Sequence, residues 1–216
     1  MGMKGRILAI LQAILTAVTV LTGAIAVPVL FRPFFYWHIG PMNLTQAVGL
    51  EREQVKRAYR EMMDYCIGRT EAFSAGMLRF SEEGAAHFAD VRKLFVLDLR
   101  VLAVAAVLLI VVQLLRKKEE ILLKGHTPGF WGAVGLGGVF VAVGALAALD
   151  FQRAFVIFHQ LFFPGKSNWI FDGRTDPIIY MLPEAFFRNC AILILAGILV
   201  GCGGLLLRDR IVRKGT

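Results

Sequence analysis

Residues Leu94 to Leu115 read LFVLDLRVLAVAAVLLIVVQLL, and nothing after Arg100 in this run is charged. As a helix the run rises roughly 33 Å at about 1.5 Å per residue, enough to cross a bilayer core of about 30 Å. Three further blocks of the same character follow or precede it: Ile7 to Phe31, Gly129 to Leu149 and Asn189 to Leu207. Over all 216 residues 57% are hydrophobic and 19% charged, with a mean hydropathy of +0.64. Soluble domains run nearer 45–50% apolar and about 25% charged. A cytosolic enzyme and a secreted domain are thereby excluded. The fold class predicted is an all-α membrane protein, a single membrane domain over residues 1–216. Four transmembrane helices, at about 7–31, 94–115, 129–149 and 189–207, would carry an extracytoplasmic cap made of two inserted segments, 32–93 and 150–188.

The first block resembles a signal peptide in its leading Lys4 and Arg6 and in Ala24-Ile25-Ala26. Its apolar run continues through Val27, Val29, Leu30 and Phe31, beyond the 7–15 residues of a signal core, so we read it as a span. Charge then sets the orientation. The N-terminal stub, the segment between the second and third spans and the C-terminal tail hold ten Lys or Arg, among them Arg116, Lys117, Lys118, Lys124, Arg208 and Arg213. Against these stand three acids, Glu119, Glu120 and Asp209. Short basic segments stay in the cytoplasm, so both termini are expected inside and both long connections outside. The sequence pI of 9.8 then reflects topology and anionic lipid headgroups, with no call for nucleic acid.

The first outer segment holds an amphipathic helix. Between Leu50 and Cys66, Val55, Tyr59, Met62 and Cys66 recur at helical spacing, and the pairs Glu53 with Arg57 and Arg57 with Glu61 fall four apart on the polar side. Such a helix would lie on the membrane or on the protein. A second helix should start after Ser81 as N-cap and run through His87 and Asp90 into the second span. The second outer segment is dense in aromatic residues, from Phe151 through Phe163 to Trp169, Phe171, Phe186 and Phe187. Of 24 aromatic residues, only Phe130, Trp131 and Phe140 lie in the third span, away from the outer side. An interfacial belt accounts for part of that excess, and an aromatic pocket at the outer interface for the rest.

Familiar catalytic apparatus is scarce. The serines are Ser74, Ser81 and Ser167, none in a G-x-S-x-G elbow, and there is no H-E-x-x-H. Gly165-Lys166-Ser167 imitates the end of a phosphate loop, but Gln160 stands where its leading glycine belongs, which argues against a nucleotide. Cys66, Cys190 and Cys202 form neither a metal motif nor a pairing pattern, although Cys66 and Cys190 lie near the same membrane face. Histidine remains. His87 and His159 share the outer side with His38, while His126 lies in the cytoplasmic connection. An imidazole takes and returns protons near neutral pH. Asp90, three residues after His87 on the same helix face, can orient that ring or raise its basicity. Asp150 and Arg153 can pair at the end of the third span.

These residues carry a resemblance. Phe158-His159-x-x-Phe162-Phe163, with Asn168-Trp169-x-Phe171-Asp172, Asp176-Pro177 and Leu182-Pro183-Glu184-x-Phe186-Phe187, resembles the signature of the bacterial lipoprotein intramolecular transacylases. Phe80-Ser81-Glu82-Glu83 with His87, Asp90-Val91 and Leu94-Phe95 resembles that family's other motif. The pattern departs at Gly173, where a proline is expected, and around Pro164 to Ser167. The resemblance implies a cofactor-free acyl transfer, without metal. The sn-2 acyl chain of the diacylglyceryl group on a lipoprotein's N-terminal cysteine would move to that cysteine's own amino group. It implies that His87 and His159 do the proton work, one as base and one as acid, in an order the sequence leaves open. Phe34, Trp37, Phe158, Phe162 and Trp169 would line the substrate pocket, and Asn168, Asp172 and Glu184 would hold the loop or the substrate amine. The partners implied are diacylglyceryl-modified lipoproteins and membrane lipid, and the location is the bacterial cell membrane. The alternative from the residues themselves is a non-enzymatic sensor or partner subunit with an aromatic interaction surface.

Overall fold

The structure is a computed structural model that describes residues 2–116 and 122–215. Lys117, Lys118, Glu119 and Glu120, which enter the charge argument, lie outside the described residues. The helices are α1 (Met3–Leu30), α2 (Pro33–His38), α3 (Leu44–Val48), α4 (Arg52–Cys66), α5 (Glu82–Leu115), α6 (Pro128–Leu149), α7 (Phe151–Phe162), α8 (Ile178–Met181) and α9 (Glu184–Lys214). Beyond a bridge between Leu123 and His126, the described residues hold no strand. Helices α1, α5, α6 and α9 are each long and apolar enough to cross a membrane, and they carry the four apolar blocks. At 34 and 31 residues, α5 and α9 outrun those blocks, because each carries polar turns beyond its apolar run.

Contacts divide the described chain into two compact units. The first comprises residues 2–26, 98–116, 122–146 and 192–215. Its cores are small: Ala24, Ala133, Ile198 and Cys202 form one, and Leu15, Ala105 and Val112 another. Helices that share an apolar solvent gain little from hydrophobic burial and associate through close packing of small residues. Gly132 shows this, since a Cβ there would strike the carbonyl oxygen of Ala13. The hydroxyls of Thr16, Thr19 and Thr22 donate to the carbonyls four residues back at 2.7–2.8 Å, so no polar atom of theirs is left to the hydrocarbon. Gln12 accepts a hydrogen bond from the Arg116 guanidinium for the same reason. At one end, Asp209 is 1% exposed and accepts the Thr127 amide at 2.7 Å, with His126 Nδ1 at 2.8 Å.

The second unit comprises residues 27–97 and 147–191 and holds a conventional hydrophobic core. Phe35 stacks on Tyr59 with ring centroids 3.8 Å apart, and Phe186 meets Phe35 edge-on at 5.3 Å. Helix α4 buries Val55, Tyr59, Met62 and Cys66, the face that the helical spacing predicts, and it packs on the protein itself. On its polar side Arg57 pairs with Glu61 at 2.7 Å, while Glu53 takes Lys56 at 2.6 Å instead of Arg57. Arg32 binds Asp64 at 2.6 Å, holding that carboxyl below the usual carboxylate range and tying the start of α2 to α4. Asp150 does not pair with Arg153 through its guanidinium; its carboxylate caps α7 by accepting the Arg153 backbone amide at 2.9 Å. The three cysteines are free, and burial pushes the Cys66 thiol up to about 12, which leaves it no nucleophile.

Phe35 is fully buried and Trp37, two residues on, is 62% exposed. Phe35→Ala should therefore lower stability by about 3–5 kcal/mol, whereas Trp37→Ala should stay within about 0.5 kcal/mol of the parent. Thermal unfolding in one detergent, read by circular dichroism, checks the contrast; equal midpoints for the two variants would contradict the assigned core.

Candidate active site

Both candidate histidines belong to the second unit. His87 sits in the second turn of α5, and what holds it there is the way that helix begins. Ser81 caps α5 as expected, its hydroxyl accepting the Gly84 amide at 2.9 Å, and its own amide donates to Asp176 at 2.8 Å. Asp176 is 3% exposed and also accepts the Thr175 hydroxyl at 2.7 Å. Gly84 is required at this junction, because a Cβ there would collide with the Asp176 carboxylate.

His159 lies on α7. Its Nδ1 is 2.8 Å from the carbonyl of Phe155, one turn back. A carbonyl only accepts, so Nδ1 carries the proton and the lone pair is left on Nε2. Phe155, His159 and Phe163 follow one another at a spacing of four residues, so they stack along one face of α7 and its end. Phe155 lies 4.2 Å and Phe163 5.7 Å from the His159 ring, and Trp169 covers it at 4.7 Å. Burial in these rings lowers the His159 pKa below its ordinary value, with the Phe155 carbonyl pulling the other way. The imidazole is thus neutral at physiological pH.

The two imidazoles are neighbours, with centroids 5.9 Å apart and planes inclined by 31°. They are 6% and 8% exposed. Around His87 stand Phe163 at 5.0 Å and Phe171 at 5.5 Å, both edge-on. His87 Nδ1 is buried without a hydrogen-bond partner, and so is the Oδ1 of Asn168, the residue before Trp169. Unspent buried polar atoms of this kind are uncommon and call for a ligand or a chemical role. Asp90, 8% exposed, makes no hydrogen bond to His87: its carboxylate accepts from Lys166 Nζ at 2.5 Å and from Lys93 at 3.0 Å. Any influence of Asp90 on the ring is through charge rather than through a bond that orients it.

The other expected site residues are distributed unevenly. Phe158 and Phe162 pack on each other at 4.6 Å, half exposed, with Phe158 reaching His159 at 5.5 Å. Phe34 lies against His38 at 4.7 Å and Phe186 at 6.0 Å, and a chain of ring contacts through Phe186, Phe187 and Phe155 separates it from His159. Trp37 touches Phe31 and neither histidine. Asp172 is spent on its own turn, accepting the Arg174 amide at 2.9 Å and the Arg174 guanidinium at 2.9 Å. Glu184 is exposed in the first turn of α9. The sequence reading assigned no role to Phe155, Phe163, Phe171, Asp176 or Lys166, though the four-residue spacing about His159 announces the first two. Among the described residues no group of His, Cys, Asp or Glu is arranged to hold a metal ion.

The geometry has counterparts. The family model of the lipoprotein intramolecular transacylase Lit matches residues 10–187. Among solved structures, the membrane-integral lipoprotein intramolecular transacylase Lit from Bacillus cereus is 25% identical, covers 100% of this chain and 98% of its own, and superposes with a TM-score of 0.90. Two variants of that protein, with a histidine replaced by arginine or by alanine, are each 26% identical with a TM-score of 0.80, covering 98% of this chain and 93% or 94% of theirs. No curated protein matches the chain by sequence. With a family model spanning most of its length and a solved relative of the same architecture, this chain belongs to the lipoprotein intramolecular transacylase family and is a membrane acyltransferase.

Proposed function

We propose that the chain moves the sn-2 acyl chain of a diacylglyceryl lipoprotein to the α-amino group of that lipoprotein's N-terminal cysteine, leaving the lyso form. The observation that supports this most is the pair of buried imidazoles 5.9 Å apart in an aromatic shell, beside thiols and serines that supply no activated nucleophile. Amine and ester belong to one substrate molecule, so the enzyme has only to fold that molecule and move a proton. The amine nitrogen attacks the ester carbonyl carbon, the bond from that carbon to the glyceryl oxygen breaks, one N–H is lost and one O–H is gained. No cofactor enters the balance.

His159 is the base in this reading. Its Nδ1 proton is committed to the Phe155 carbonyl, which leaves Nε2 to take the proton of the attacking amine. His87, with an uncommitted buried nitrogen beside it, takes that proton on from His159 and passes it to the leaving glyceryl oxygen, so both rings end neutral as they began. Asn168 Oδ1 offers an acceptor to the substrate amine, and Trp169, Phe158 and Phe162 border the acyl chains. Exclusion of water by these rings guards the ester against hydrolysis. We further propose that both termini are cytoplasmic and that the second unit, with the site, faces outward at the bacterial membrane surface. Family membership sets aside the non-enzymatic sensor weighed from the sequence.

Mass spectrometry of a diacylglyceryl lipopeptide incubated with the purified protein tests the reaction. The expected product has unchanged total mass and fragments that place one acyl chain on the N-terminal amine. His87→Ala and His159→Ala should each slow its formation by about 10²–10⁴-fold, with unfolding midpoints near the parent's. Full activity in either variant would remove that histidine from the chemistry.

The proton assignment has its own check. A base with a pKa lowered by burial is neutral at all pH values above that lowered point, so it loses function only as pH falls through it. Histidine-selective NMR, with the resonance assigned through His159→Ala, should give a midpoint below about 6.5 for His159. A midpoint well above physiological pH would mean that the site holds imidazolium, and His159 could not then accept the amine proton.

A further inference from the structure

The proposed site depends on a loop that brings two aromatic rings onto the histidines. Phe163, 4% exposed, closes α7 and touches both imidazoles, and Trp169 covers His159. Between them run Pro164, Gly165, Lys166, Ser167 and Asn168, with Gly165 in the left-handed region at a φ of 73°. Lys166 is the one residue of this stretch bonded at every polar group: its amide donates to the Phe163 carbonyl at 3.2 Å, its carbonyl accepts the Trp169 indole N–H at 3.0 Å, and its ammonium reaches Asp90 at 2.5 Å. Asp90 belongs to α5, one turn after His87.

From this geometry we infer that Lys166 is a positioning residue that clasps the 163–169 loop to the His87 helix and so sets both rings over the imidazole pair. The inference rests on the proposed function and deepens it. Lys166 makes no hydrogen bond to either imidazole; its charge, like that of Asp90, is felt at His87, and its positioning role runs through Trp169 and Phe163. Asp90 is its receiver. The second cation on that carboxylate, Lys93, is 75% exposed and adds a surface ion pair of small consequence, while the Asp90 side chain itself is 10% exposed. Asp90 has thus lost most of its water, and the Lys166 ammonium, 45% exposed against 75% for Lys93, is the more buried of its two cations and the one carried by the loop. Near-attack geometry tolerates little error, and a displacement of about 1 Å can slow a reaction about 100-fold.

The test uses the whole protein with Trp37 and Trp131 replaced by phenylalanine, which leaves Trp169 as the sole indole. In this background, Lys166→Gln and Asp90→Asn should each raise acrylamide quenching of Trp169 and lower the transacylation rate about 10- to 100-fold, mainly in kcat. Lys166→Arg should restore both. The double variant should be no worse than either single one, since one interaction is lost in each. Parent-like quenching in Lys166→Gln would overturn the clasp, and so would a rate loss in which the two single effects multiply. If the parent itself transfers no acyl chain, the proposed function fails, and the quenching series still decides the clasp.

Discussion

The Asp176 carboxylate determines where α5 begins, and the site depends on it. A carboxylate only 3% exposed has to be supplied with donors, and it takes the Ser81 amide and the Thr175 hydroxyl. Ser81 in turn satisfies the Gly84 amide, so two amides that a helix start would otherwise leave bare are bonded. His87 is thereby placed with little freedom against Phe171, five residues before Asp176 in the chain. A glycine at position 84 is a consequence of the same carboxylate, which occupies the space of a side chain.

The second placement is made differently. Helix α7 is short, and its imidazole is set by one hydrogen bond to the carbonyl a turn back together with four rings. The hydrogen bond chooses the tautomer, and the rings choose the charge. Neither device uses a carboxylate on the histidine, as many catalytic histidines do. Asp90, the nearest carboxylate by sequence, is taken by lysines. A neutral pair in an apolar shell suits a reaction whose reactants arrive joined and whose hazard is water.

How far the sequence foretold this varies by residue, for physical reasons. The four apolar helices were legible because the bilayer imposes a length and forbids charge. The buried face of α4 was legible at Val55, Tyr59, Met62 and Cys66, since amphipathic spacing is a local property. The Ser81 cap was legible too, as the helix and its cap are read from adjacent residues. Partner choice was not. Glu53 prefers Lys56 to Arg57, Asp150 prefers a backbone amide to a guanidinium, and Asp90 prefers a lysine 76 residues away to the ring one turn before it. In each case several partners lie within reach of one carboxylate, and the winner is decided by the burial and direction of groups from distant segments. The aromatic residues show the same division. Density of Phe and Trp marked the region, but not that Trp37 would face outward on Phe31 while Phe171 would face His87.

The four histidines give a rule that sequence alone could not apply. His38 spends both ring nitrogens, Nδ1 on the Phe34 carbonyl at 2.7 Å and Nε2 on the Asn189 amide at 2.9 Å, and it is a strut between segments. His126 has its Nδ1 on the buried Asp209 and its ring stacked on Phe130 at 3.8 Å, which joins two helix ends. His159 begins with the same turn-back bond as His38 but has no second partner, and His87 has a buried Nδ1 with none at all. A buried ring nitrogen left unbonded costs about 1–3 kcal/mol, and a chain under selection for stability alone would bond or replace it. Burial by itself does not separate a working histidine from a structural one. Burial together with an unspent nitrogen sets the pair at 5.9 Å apart from the two struts, and the proposed proton transfers rest on that difference.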